Sequence, residues 1–182
     1  MTTQRRLYVS MIVSLDGYIA GPNGELDWFD GPNPQFDRYC DEMIDGVDTA
    51  IYGRRSYEQM VAYWPRADGA FARKINALPK LVLSRTLEQA TWSHTRVVRD
   101  VDQIAALKRE EGKPIVAWAG ASLVASLEDA GLVDEYRLVV QPVLLGGGTR
   151  LFRSRDRRVK LRQVRTLSLD GRVTVLCFEP TA

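Results

Sequence analysis

A three-layer α/β fold, with a mostly parallel central sheet and antiparallel C-terminal strands, is what this sequence predicts. Three observations point to it. Apolar, β-branched segments alternate with amphipathic ones from residue 6 to about residue 130. The last third of the chain is a succession of strand-like segments instead. Between the last two of these stands Asp170-Gly171, a hairpin turn signal. The chain has 182 residues, enough for one domain with its own core. No repeat, low-complexity run or linker divides it, so one domain over 1–182 is expected.

The elements follow in order. Residues 6–14, RLYVSMIVS, are rich in β-branched and aromatic side chains and read as a buried strand. Residues 15–34 form a long loop with turn signals at Gly21-Pro22, Asn23-Gly24 and Gly31-Pro32. Long loops within compact domains are functional or disordered, and the aromatics Trp28 and Phe29 argue against disorder here. Residues 35–45 read as a helix, because Phe36, Tyr39, Cys40 and Met43 make one apolar stripe, which Asp37 borders. Strand 48–52 leads through GRRS into a helix over about 55–63. Strands at 80–85 and 95–99 come next, then a helix capped by Asp100 and ended by Gly112. Strand 114–120 opens a helix over 121–130, with Leu123, Val124 and Leu127 on one face. The strands EYRLVVQPVLL, VKLRQVRTLSL and RVTVLCFEP complete the chain.

Composition narrows the function. Lys plus Arg is 25 and Asp plus Glu is 23, so the net charge is +2. That balance argues against a general nucleic-acid or membrane-surface binder, and any anion site must be local. Cys40 and Cys177 are far apart and show no metal-ligand spacing. The N-terminal segment lacks an apolar run of signal-peptide length, and a cytoplasmic location is expected.

Ligands of a parallel α/β sheet bind outside the carboxyl ends of its strands. Three strand ends here carry matching chemistry. One ends in Gly53, Arg54, Arg55 and Ser56; another in Leu83, Ser84 and Arg85; a third in Gly120, Ala121, Ser122 and Leu123. Arginine forks and serine hydroxyls suit phosphate, and a small-residue turn at a helix start lets backbone amides approach it. Arginines at a helix start also oppose the macrodipole, so Arg54 and Arg55 need an anion nearby. The plainer reading is that each arginine pairs with a surface carboxylate. Three converging ends favour one ligand with several phosphates.

The segments VSLDGYIAGPNGELDW, DTAIYGRRSYEQM, LVLSRTL, VAWAGASLVASLEDAGLVDEY and QPVLLGGGTRLF resemble, in that order, the dihydrofolate-reductase-like superfamily. They are most similar to the reductase domain of the bifunctional riboflavin-biosynthesis deaminase/reductase and its stand-alone relatives. The resemblance implies a sheet of about eight strands, an NADPH cofactor, hydride transfer to a small heterocycle and a homodimer. It assigns cofactor binding to Gly53, Arg54, Arg55, Ser56, Leu83, Ser84, Arg85, Gly120, Ala121, Ser122 and Leu123. Ile12 and Ile19, with Met11 on the substrate side, match the floor under the nicotinamide, and Trp28 is a lid or a loop anchor. The superfamily's carboxylate for the proton relay falls near Asp37, with Asp41 as the alternative. Asp16 matches a family position that is a substrate contact or a turn cap. No deaminase domain and no zinc-ligand cluster is present, and the lysine and acidic pair for a ribitol-phosphate substrate have no clear match. No metal is expected.

The leading expectation is therefore an NADPH-dependent reductase of a pterin- or pyrimidine-like small molecule, with Asp37 or Asp16 as catalytic carboxylate. A carboxylate at position 37 is expected in an apolar pocket. The alternative is a non-catalytic nucleotide-binding or regulatory dimer with a vestigial site. Two further expectations are a cis peptide between Ala119 and Gly120, and a dimer surface using Leu138, Val140, Val143 and Leu145.

Overall fold

The computed structural model describes residues 4–29, 33–154 and 158–181; the expected turn at Gly31-Pro32 falls outside them. Eight strands form the main sheet: β1 (Leu7–Ser14), β3 (Thr49–Gly53), β4 (Lys80–Leu83), β5 (Thr95–Val98), β6 (Ile115–Trp118), β7 (Glu135–Gln141), β9 (Leu161–Leu169) and β10 (Val173–Pro180). Their spatial order is β5-β4-β3-β6-β1-β7-β10-β9. The first six lie parallel, and β10 and β9 add antiparallel. The β9–β10 hairpin turns through Asp170 and Gly171, both at positive φ, as Asp-Gly demands.

Two strands escape the sequence reading. β2 (Tyr18–Ala20) and β8 (Thr149–Arg150) pair as a separate two-stranded ribbon. Each is too short to show alternation. Gly148 makes the pairing possible: at φ +122, a Cβ there would stand 2.1 Å from the Ala20 carbonyl oxygen.

Helices cover both faces. On β1, Leu7 and Val9 point to one side and Tyr8 to the other. The first side packs against α4 (Asp102–Lys108) and α5 (Ala121–Asp129), through Ile104, Leu123, Val124 and Leu127. The second packs against α1 (Pro34–Asp45), α2 (Arg54–Tyr63) and α3 (Ala70–Ala77), through Met43, Ile44, Tyr57 and Ile75. Helix α3 is a further element that the sequence reading leaves unassigned.

Some boundaries differ for clear reasons. Strand β7 stops at Gln141 rather than running to Leu145, because Pro142 has no amide to continue the ladder. Helix α4 begins at Asp102 and ends at Lys108, and Asp100 accepts only from the Gln103 amide at 3.1 Å. An ion pair with a buried lysine and a half-exposed aspartate pins α4 under β1. The Lys108 ammonium, 3% exposed, donates to Asp134 at 2.5 Å and to the Leu132 carbonyl at 2.8 Å, and the Leu7 amide donates to the same Asp134 oxygen.

Candidate functional site

Because β4, β3, β6 and β1 are parallel neighbours, their carboxyl ends fall side by side. The three phosphate-suited turns of the sequence therefore share one edge. The turns after β3 and β6 are in direct contact. The Gly120 amide donates to Ser56 Oγ at 3.1 Å, and a Cβ on Gly53 would lie 3.4 Å from Leu123 Cβ. Gly53 and Gly120 are the N-cap residues of α2 and α5, and neither supplies a side-chain cap. No acidic residue stands in either first turn. Two positive helix ends thus lie together with their leading amides uncapped, beside arginine. Such an arrangement is unfavourable without an anion and favourable with one.

Arg54 bridges two of the turns. Its Nε donates to Glu58 at 2.7 Å and its Nη1 to Thr86 Oγ1 at 2.6 Å, and its side chain stays 47% exposed. The plainer reading of a surface ion pair thus holds for part of Arg54, with the guanidinium still open to solvent. Arg55 and Arg85 are exposed and form no ion pair among the described residues. The Ser84 hydroxyl is occupied differently from the expectation. It accepts from the amides of Thr86 and Leu87 at 3.3 and 3.0 Å, so it shapes the turn after β4. Arg99, which the sequence reading did not single out, holds the same turn through the carbonyls of Ser84 and Leu87.

The turn after β6 is trans, since no cis peptide occurs among the described residues, and the expected Ala119–Gly120 cis bond is corrected. A cis non-proline bond costs about 2.5–4 kcal/mol. The trans turn already delivers the Gly120 amide to Ser56 and the Ala119 amide to the Met11 sulfur.

Asp16 lies in the β1–β2 turn. Its carboxylate accepts from Ser14 Oγ at 2.6 Å, the Leu145 amide at 3.1 Å and the Gly146 amide at 2.8 Å. The Ser14 bond and those amides hold its pKa at about 2. This geometry fits the turn-cap role: an ionised clamp joining the loops after β1 and β7. Asp37 departs from the expected apolar pocket, because it is exposed in the first turn of α1. Phe36 and Tyr39 occupy the inward positions against Val139, Val173 and Val175, and a residue one step from Phe36 turns about 100° away. Asp41, the alternative, is an ion-pair partner of Lys74 at 2.8 Å.

Met11 and Ile12 point to opposite sheet faces: Met11 toward α5, Ile12 toward Phe36 of α1. Ile19, in β2, packs on the α5 side. Trp28 is half-buried, donates to the Glu25 carbonyl at 3.1 Å and meets Phe29 edge-on at 4.6 Å between ring centroids. Two buried polar atoms without partners among the described residues lie toward the α1 side of this edge. One is Oε1 of Gln141, a residue 4% exposed at the end of β7 in register with Ser14. The other is Nδ2 of Asn33, the residue that caps α1. Buried orphans of this kind call for a partner. No periodicity in the sequence marks them.

Among the described residues, no cluster of histidine, cysteine or carboxylate side chains could hold a metal, and no helix is long and apolar enough to cross a membrane.

Set against known proteins, residues 5–175 match the model of the RibD C-terminal domain family. The YyaP protein of Bacillus subtilis (strain 168), itself uncharacterized, is 33% identical over 185 residues, covering 96% of this chain and 95% of that one. A Shewanella sp. PV-4 chain assigned to riboflavin biosynthesis superposes with a TM-score of 0.80 at 24% identity, covering 97% of this chain and 99% of that chain. Dihydrofolate reductase of Enterococcus faecalis, complexed with NADP(H), superposes over the whole of both chains with a TM-score of 0.70 at 18% identity.

Proposed function

This chain belongs to the RibD C-terminal domain family, and from that premise we propose that it is an NADPH-dependent reductase of a small heterocyclic substrate. The observation that carries the reading is the pair of adjacent, uncapped helix N-termini at the sheet's carboxyl edge, locked by the Gly120–Ser56 hydrogen bond and flanked by Arg54. The likeness to a reductase complexed with NADP(H) supports the choice of cofactor.

The residues present fit a dinucleotide. The first-turn amides of α2 and α5 would hold its diphosphate, the close approach of Gly53 to Leu123 keeps those helix ends together, and Ser56 fixes their spacing. Arg54, Arg55 and Arg85 remain open to bind the additional ribose phosphate of NADPH. When bound, the nicotinamide supplies the hydride; the protein supplies position and a proton. Ile12 forms part of the floor under the nicotinamide, on the side of the sheet that faces α1. The buried Gln141 amide and the Asn33 amide nitrogen offer an acceptor and a donor to a ring with an N–H next to a carbonyl, as in pterins and pyrimidines. Asp16 keeps the loops after β1 and β7 in place, because an ionised carboxylate holding three donors is not a proton donor near neutral pH. Asp37 is the carboxyl left to pass a proton to the ring, with water as the carrier across its exposed position.

The working molecule in this reading is a homodimer. Leu138, Val140, Val143 and Leu145 are each only partly buried, and Leu144 beside them is 69% exposed. Light scattering at micromolar concentration would give about twice the 20.5 kDa chain mass; a mass of one chain rejects the dimer. The reductase reading is tested by NADPH oxidation against a panel of dihydropterins, pyrimidinones and simple imines. Turnover of one class, lost in Gln141→Leu, supports it. NADPH binding without turnover of any class favours the regulatory alternative.

A further inference from the structure

The opposite, amino edge of the sheet carries a half-open cleft of about 270 Å³ between α1 and the outer strands. Its polar lining comes from Arg6 ahead of β1, Tyr39 of α1, Glu135 and Arg137 of β7, Arg165 of β9 and Glu179 of β10. A register shift between Cys177 and Phe178 of β10 breaks the β9–β10 ladder along its wall.

The hydrogen bonding inside the cleft is one-sided. Both oxygens of Glu135 are taken, one by Arg137 Nε at 2.6 Å and one by Arg6 Nη2 at 3.0 Å. Both oxygens of Glu179 are taken, by Arg6 at 2.6 Å and by Arg162 at 2.5 Å. Every carboxylate acceptor therefore has its guanidinium. What remains is donors. The Tyr39 hydroxyl is buried without a partner among the described residues. Arg165 forms no ion pair among the described residues. Arg137 lies 3.7 Å over the Tyr8 ring and spends only Nε and Nη2 on Glu135. Three guanidiniums line the cleft against two carboxylates, so it also holds surplus positive charge. Burial raises the pKa of the Tyr39 hydroxyl and of the nearby Cys177 thiol, so neither adds a negative charge near neutral pH.

We propose that this cleft is a second ligand site, which takes a compact oxyanion, a phosphate or carboxylate group, bound by Arg165, the free edge of Arg137 and the Tyr39 hydroxyl. Acceptor-rich groups of that size match both the leftover donors and the charge. The site stands independently of the cofactor reading, since it shares no residue with the carboxyl edge.

Calorimetric titration with inorganic phosphate and, separately, succinate tests it. The background is the full chain carrying Arg54→Ala and Arg85→Ala, which weakens the cofactor edge as a competing phosphate site, and the substitutions inside the cleft assign the binding that remains. Saturable one-to-one binding of at least one probe is expected there, weakened about tenfold or more by Arg165→Ala and, independently, by Tyr39→Phe. A preference for phosphate or for succinate identifies the head group. Circular dichroism of each variant confirms that the fold persists, and Tyr39→Phe keeps the ring packing in any case. Absence of saturable binding of both probes overturns the proposal. So does binding that neither substitution changes.

Discussion

Gly53 offers a way to separate the two helix ends without touching any charge. It caps α2 in extended conformation, φ −79 and ψ 162, so a side chain there meets no backbone strain. A Cβ would stand 3.4 Å from Leu123 Cβ, an ordinary contact. Gly53→Ala should therefore fold and bind NADPH nearly as the parent does, with a stability change under about 1 kcal/mol. Gly53→Val adds two methyl groups beyond that first carbon, and one turned toward Leu123 comes inside contact distance. Leu123 is 3% exposed and packed with Val9, Ile51 and Ala117, so it cannot retreat into the core. A methyl in that position pushes the first turn of α5 away from α2. Overpacking of this kind costs about 1–3 kcal/mol. For a chain of this length that lowers the melting temperature by roughly 3–10 °C. The larger effect falls on the ligand. The amides of α2 and α5 no longer converge, and NADPH affinity should drop about tenfold or more. Thermal melts and calorimetric titration of both variants measure the two effects. A Gly53→Val chain that is folded and binds NADPH like the parent would refute the argument that these two helix ends act as one site.

Other substitutions probe the frame. Asp134→Asn leaves the Lys108 ammonium buried without its counterion and should cost about 2–4 kcal/mol in urea unfolding, short of the full buried-pair figure because Asp134 is 37% exposed. Lys108→Met removes the buried charge instead and should cost less, about 1–2 kcal/mol; the reverse ranking would contradict the burial argument. Asp16 is held at a pKa of about 2, below its ordinary 3.8, so the folded chain keeps it ionised where the unfolded chain would protonate it. Its contribution to stability is complete above pH 4 and is lost as pH falls through 2, and Asp16→Asn should remove that part of the acid dependence of the melting temperature. Gly148→Ala forces a Cβ onto the Ala20 carbonyl, and proteolysis within residues 15–29 and 142–154 should become faster; an unchanged digestion pattern would show that the β2–β8 ribbon tolerates the side chain.

Much of this arrangement is legible in the residues, and the exceptions have physical causes. Alternating strands and helices, the Asp170-Gly171 hairpin and the three phosphate-suited strand ends are local patterns, and local patterns survive into the fold. That the three ends are neighbours follows from topology. That Gly53 touches Leu123 and Ser56 receives the Gly120 amide depends on pairs 64 to 70 residues apart, which no window can see. The β2–β8 ribbon is too short to carry a period, and its pairing rests on one glycine. Asp37 shows the limit of spacing: it borders the apolar stripe of α1, and one step around a helix turned it to solvent. Gln141 shows another. A lone glutamine in an apolar strand reads as a solvent-facing residue, yet Gln141, on the face of β7 that carries Val139, is 4% exposed.

Calorimetric titration of the purified chain with NADPH and with NADH, repeated on Arg54→Ala and Arg85→Ala, tests the central claim most directly. The account predicts saturable binding of NADPH about tenfold or more tighter than NADH, with either substitution narrowing that gap while the melting temperature stays close to the parent's. Equal affinity for the two nucleotides, or binding of neither, would contradict it.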